Sequence, residues 1–321
     1  MYLIMNRIHY FFSIIFMALM LISCASLKEI KQAYLQPDYY KTIQLSNEAI
    51  NKDSTNTEAW LYLAKSSIAL GQMKQGLEAL DQINRLDPKF KKHRRELAIL
   101  YQNLGEKAFK TKQYQNAVQF YLSAESRDPR NKELMKQVAE VAFKANWLNV
   151  AKTRYEKLID SSKDPNAIIQ KLNLIESKMQ FAQNEYDKGM KEYDAGHFGE
   201  AFKHFESATK TQADNQETEY YYYLSRGRYL SKLGNGNACL EAAKLFSRAS
   251  QLKPKQAEPY YFTGRAYEMQ NQHKSLSKAI TAYRQALNLE PNGQYASYCK
   301  KKIETLSERM KRLDSFWNRG K

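Results

Sequence analysis

The 321-residue sequence predicts an all-α fold in which helix-turn-helix units stack into a solenoid, and three observations carry that expectation. The segments 57–90, 98–131, 132–165, 182–215, 220–256 and 257–293 fall into register at a 34-residue period once short insertions are allowed. Position 8 of that register holds Ala64, Gly105, Ala139, Gly189, Gly227 and Gly264, and position 20 holds Gly76, Ala117, Ala151, Ala201, Ala242 and Ala279. Only small residues stand there, as two closely crossing helices require. Gly71, Gly196 and Gly234 at position 15 end a first helix, and Pro88, Pro129, Pro254 and Pro291 at position 32 stop a second. A composition of 43% hydrophobic and 26% charged residues, with 12 Gly and 7 Pro, excludes collagenous and disordered chains.

The elements follow in order. Arg7 and His9 precede an apolar run from Phe11 to Ile22 broken only by Ser13, and no acidic residue occurs before Glu29. Twelve helical residues reach about 18 Å, short of the roughly 30 Å of a bilayer core, so the run reads as an export signal rather than a permanent span. It ends in Leu21-Ile22-Ser23-Cys24, which resembles the lipobox of bacterial lipoproteins. The resemblance implies that residues 1–23 are removed, that Cys24 becomes an acylated N-terminus, and that 24–37 serve as anchor and linker. Two or three acyl chains suffice for stable anchoring. Ala25 stands where an Asp would imply inner-membrane retention, so the resemblance implies an outer-membrane, periplasm-facing protein in preference to an inner-membrane one.

Residues 38–54 read as the second helix of an incomplete repeat, with Tyr39 and Ala49 in register but Thr42 and Ser46 where Ala and an aromatic belong. This partial repeat and three full ones make an N-terminal half, 38–165. Position 24 carries Leu80, Tyr121, Tyr155, Phe205, Phe246 and Tyr283, and position 27 carries Ile83, Ala124, Leu158, Ala208, Ala249 and Ala286, an apolar wedge on each second helix. Residues 166–181 are extra. Ile168, Leu172, Ile175 and Met179 recur at helical spacing after the start signal Asp164-Pro165, predicting a long helix fused to the next repeat and dividing the chain there. Three repeats then make a C-terminal half, 182–293. Ile303, Leu306, Met310, Leu313 and Trp317 predict a capping helix within 294–321, where eight Lys/Arg face three Asp/Glu.

From residue 38 to 293 the pattern resembles the tetratricopeptide repeat family, most fully in 57–90 with Trp60, Leu63, Ala64, Gly71, Leu80 and Pro88. Lys163 and Ala213 depart from it where proline is expected. The resemblance implies a right-handed α-solenoid whose first helices line a concave face with positions 2, 5, 9 and 12. Carried onto the C-terminal half, these give a partner-binding groove of Tyr186, Met190, Tyr193, Tyr221, Leu224, Arg228, Tyr261 and Arg265. Tyr and Arg are the residue types that most often anchor interfaces. Tyr223 takes the place of Trp60 and should be packed. The two-carboxylate clamp of chaperone-binding members is poorly matched, because Glu106 and Glu140 accompany Lys65, Asn103 and Lys136.

No motif for catalysis, a metal or a cofactor is present. His197 and His204, the nearest histidine pair, are two helical turns apart, about 10 Å, too far to share one ion. Cys239 and Cys299 lie a repeat apart and read as small core residues. The net charge of +16 is spread along the chain, and an exported protein meets no nucleic acid. The sequence thus predicts a non-catalytic scaffold, lipid-anchored in the cell envelope, that binds a protein or peptide in outer-membrane assembly, secretion or pilus-type machinery. The alternative is a carbohydrate binder or peptidoglycan-enzyme adaptor.

Overall fold

The computed structural model describes residues 27–89, 92–270 and 273–318. The predicted signal peptide, the Leu21 to Cys24 motif with its acylation site Cys24, and Ala25 lie outside these residues, as does the side chain of Trp317. Among the described residues all regular structure is helical, and no helix is long and apolar enough to cross a membrane. The chain divides into two compact units, one ending at Leu134 and one beginning at Met135.

The first unit holds α1 (27–35), α2 (Tyr39–Lys52), α3 (Thr57–Ala69), α4 (Met73–Leu86), α5 (Arg94–Lys110) and α6 (Tyr114–Arg127). α1 corrects the expected linker at 24–37. Ile30 and Ala33 are buried, Tyr34 meets Tyr62 edge-on at 5.3 Å, and Lys31 pairs with Glu58 at 2.6 Å, so α1 packs on α3 as the missing first helix of the partial repeat. The Ile30, Ala33, Tyr34 spacing was its signal in the sequence. On α2, Thr42 and Ser46 are fully buried, and the Thr42 hydroxyl donates to the Asp38 carbonyl at 2.8 Å.

The second unit takes up most of α7 (Lys132–Lys144) and then α8 (Leu148–Leu158), α9 (Pro165–Asp194), α10 (Phe198–Thr211), α11 (Gln216–Leu233), α12 (Gly236–Leu252), α13 (Ala257–Gln270), α14 (His273–Leu289) and α15 (Ala296–Asn318). Its core joins Phe205, Phe246, Tyr283 and Cys299, and Leu306 of α15 closes the end, with Ile303, Met310 and Leu313 half-buried beside it. Cys239 and Cys299 are both buried free thiols.

The small residues at position 8 have a specific cause. A Cβ on Gly105, Gly189, Gly227 or Gly264 would stand 2.6–2.7 Å from the ring of Tyr121, Phe205, Phe246 or Tyr283, the position 24 residue of the same hairpin. Each large ring occupies the volume of the missing side chain, which lets the two helices cross at close range. At position 20, Ala117, Ala151, Ala201, Ala242 and Ala279 are all completely buried. Position 15 is left-handed in Gly71, Gly196 and Gly234 and also in Lys112 (φ 60°) and Asn146 (φ 58°), so the turn geometry persists where glycine is absent.

Residues 166–181 are continuous with the rest of α9, a single 30-residue helix about 45 Å long. The expected divide at 166–181 therefore falls inside the second unit, for a geometric reason. α8 runs antiparallel to the first half of α9, with Lys178 bonded to Asn146, Lys152 to Glu176 and Lys171 to Tyr155. α10 runs antiparallel to the second half, with His204 on Glu185 and the rings of Tyr193 and Phe198 5.4 Å apart. The start of α8 and the end of α10 consequently meet at the middle of α9. There Ala213 N–H donates to the Asn146 carbonyl at 2.7 Å, the Asn146 amide to the Lys210 carbonyl at 2.9 Å, and Val150 N–H to Asp214 Oδ2 at 3.0 Å. Trp147, the residue at the N-cap of α8, makes no side-chain cap bond, and the Asp214 carboxylate supplies that acceptor from a distant part of the chain. Burial nonetheless pushes the Asp214 carboxyl above its ordinary range, against the pull of those N–H groups.

Candidate interaction groove

The first helices α9, α11 and α13 bring the expected groove residues together, but at different depths. Tyr186, Met190 and Tyr221 are half-buried, with the Tyr186 and Tyr221 rings 6.1 Å apart and edge-on. Burial pushes the Tyr186 phenol up to about 12. Arg265 is exposed, and its charge and hydrogen bond oppose the rise that burial causes in the Tyr261 phenol.

Three expected residues belong to the core instead. Leu224 is completely buried, and Tyr193 and Tyr261 retain 9% and 8% of their exposure. The position pattern places these side chains on the inner stripe, but α11 is so tightly flanked that Leu224 fills the crossing itself. Tyr261 stacks flat on Tyr295 at 4.1 Å, which seals it beneath the start of α15. Tyr223, expected to be packed, is half-buried with its hydroxyl donating to Glu219 at 3.0 Å.

Arg228 does not share a free wall with Arg265. Its guanidinium lies 3.8 Å over Phe198 and 4.6 Å over Phe262, and it donates to the Tyr193 hydroxyl at 3.0 Å and to Glu258 at 3.4 Å. Tyr193 in turn donates to Glu258 at 2.8 Å. Desolvation and the Glu258 charge together push the Tyr193 phenol strongly upward, so it stays a neutral donor. The network ties three first helices to one another and engages Nη1 of Arg228 with Tyr193 and Glu258. Sequence reasoning missed Glu258, although it holds position 2 of its repeat, one of the four inward positions.

In the first unit, Lys65 pairs with Glu96 and lies 5.2 Å over Tyr62, so one of the three residues at clamp positions is already engaged. His197 pairs with Glu192 and His204 with Glu185, two separate contacts, and no group of potential ligands gathers to hold a metal ion among the described residues.

No family model matches the chain. It is 27% identical over 118 residues to the Hsp70-Hsp90 organizing protein of Triticum aestivum, which covers 37% of this chain and 19% of that protein. The chain thus spans about a fifth of the length of this curated relative. Among solved structures it resembles the P58(IPK) TPR domain (TM-score 0.35, 12% identity, 91% of this chain and 99% of that one). It also resembles a tetratricopeptide repeat protein of Parabacteroides merdae (TM-score 0.33, 11% identity, 89% and 98%). Such low scores leave the assignment to the repeat itself: antiparallel helix pairs at a 34-residue period, closed in four hairpins by a ring at position 24 against glycine at position 8.

The fold is that of a tetratricopeptide-repeat protein. In tetratricopeptide terms, α9 carries both the insertion and the first helix of the fourth full repeat, and α15 is the solvating helix that covers the last one. The half-open strip of Tyr186, Met190 and Tyr221 lies on the inner positions of two successive repeats, braced from behind by the Tyr193, Arg228 and Glu258 network.

Proposed function

We propose that the chain is a non-catalytic scaffold that holds an extended protein or peptide segment along α9, α11 and α13, anchored by lipid in the bacterial cell envelope. The observation that carries the binding role is the strip of half-exposed Tyr186, Met190 and Tyr221 leading toward exposed Arg265. Aromatic side chains already held by their neighbours lose little entropy on binding. The envelope address rests on the apolar run and Cys24, and Ala25 favours the periplasmic side of the outer membrane. The wheat relative's name concerns chaperone organisation, and a peptide-holding role here is in keeping with that name.

Two experiments test this. Crosslinking in cells should capture a partner that the pair Tyr221→Ala and Arg265→Ala loses by about tenfold or more, an effect of roughly 1.4 kcal/mol or above. The pair Lys203→Ala and Lys244→Ala, on exposed faces of α10 and α12, should leave capture unchanged. Equal loss from both pairs would mean generic charge attraction. Separately, Cys24→Ala should abolish incorporation of a labelled fatty acid, and undiminished labelling would remove the anchor from this reading.

A further inference from the structure

The meeting of α8 and α10 on α9 creates a cleft of about 750 Å³ that a regular repeat array would not have. One wall is a stripe of α9, with Glu176, Met179, Gln180 and Gln183, and the other is the α10–α11 connection with Gln212 and Gln216. The volume lies within the range of about 300–1,000 Å³ typical of ligand sites. We propose that this cleft binds the main chain of an extended, uncharged stretch of polypeptide through its carboxamides. This occupant presupposes the scaffold role above and names what one part of the scaffold would hold.

Charge selects against an ionic ligand. Lys152 is tied to Glu176 at 2.9 Å, so that pair cancels, while Asp214 accepts from Val150 N–H through Oδ2 and its unpartnered Oδ1 is buried away from the cleft's solvent-facing wall. What remains is amide chemistry. A carboxamide presents two N–H donors and one carbonyl acceptor, the same pair of functions that alternates along an extended main chain. Gln180 and Gln183 use their Nε2 groups on Asn184 and Asp187 at 3.0 and 2.8 Å, and among the described residues neither Oε1 receives a hydrogen bond. Those acceptors suit backbone N–H groups. A glycan fits less well, because none of the residues lining the cleft is aromatic and the apolar face of a sugar ring would have no platform.

Continuity also favours a polypeptide. Glu176, Gln183 and Met190 follow one another at seven-residue spacing along one stripe of α9, with Tyr186 beside it, so a chain leaving the cleft along that stripe reaches the aromatic strip. Gln180 and Gln183 stand three residues apart, a rise of about 4.5 Å, and their long side chains can splay to peptide units roughly 6.7 Å apart on an extended chain.

The test is fluorescence anisotropy with the full chain and end-blocked, labelled decapeptides: one of Ser, Thr, Asn and Gly, and one rich in Glu. Hexameric N-acetylglucosamine serves as the glycan probe. The neutral peptide should bind, with affinity changing less than about twofold between low and high salt. Gln180→Ala with Gln183→Ala should weaken it about tenfold without altering the melting curve, since both side chains are exposed. Unchanged affinity in that variant, binding of the Glu-rich peptide alone, or preferential binding of the glycan would each overturn the proposal. If groove variants lose the cellular partner while the glutamine variant binds peptide like wild type, the scaffold role stands and the cleft assignment falls. If wild type binds no peptide and captures no partner, both fall.

Discussion

Replacing Phe246 with alanine should cost about 3–5 kcal/mol and give the largest fall in stability of any single change in the second unit. The ring is completely buried, stacks on Phe262 at 5.5 Å, and fills the space left by Gly227, whose added Cβ would stand 2.6 Å from it. Removing it leaves a cavity on both sides of one helix crossing, and neighbouring rings held by their own packing cannot collapse into it. Gly227→Ala should cost about 1–3 kcal/mol for the opposite reason, overpacking. The two sites share one volume, so Gly227→Ala should cost less in a Phe246→Leu background than in wild type. Urea unfolding followed by circular dichroism reads all four corners of the cycle. Simple additivity would show that the glycines at position 8 are not there to admit the ring.

Arg228→Ala should destabilise by about 1–3 kcal/mol, between the values for exposed and for fully buried ion pairs, since the two side chains keep 25% and 24% of their exposure. The change leaves Glu258 with only neutral donors and removes the guanidinium from the faces of Tyr193, Phe198 and Phe262. Arg265→Ala, on an exposed side chain, should stay within about 0.5 kcal/mol. Glu258→Gln keeps the acceptor for Tyr193 and drops the charge, so its loss should be the smaller of the two network variants. Melting curves of the three proteins at low and moderate salt measure this, and equal curves for the two arginine variants would return Arg228 to the surface of the groove.

Most of the fold was legible because its determinant is steric and local to each hairpin. Glycine opposite an aromatic, alanine at the second crossing and a stop after each helix recur as residue types, and a repeat makes them visible. The left-handed turns at Lys112 and Asn146 were not legible, since the geometry there is imposed by the two helices it joins rather than by the residue. α1 was not legible because only Ile30, Ala33 and Tyr34 mark its packed face, too few to set a repeat register. In the groove, position along the helix was legible and depth was not. Leu224 and Tyr186 share the inner stripe, but burial depends on how closely the adjacent helices flank each level. The partner of Arg228 lies 30 residues away in the next repeat, and register alone does not say which inward carboxylate an inward arginine will choose.

The end-to-end meeting of α10 and α8 decides where this protein can be cut. By sequence the third full repeat ends at residue 165, and a fragment ending there would seem self-contained. It would lack both the stretch of α9 that carries Lys171 and Glu176 and the Asp214 carboxylate that accepts from Val150 N–H. Extending the fragment through α9 restores the first and not the second. The shortest C-terminal truncation that keeps the α7–α8 hairpin as it stands in the whole protein must run past Asp214, so any cut between the third and fourth full repeats removes contacts that the third makes in the whole chain.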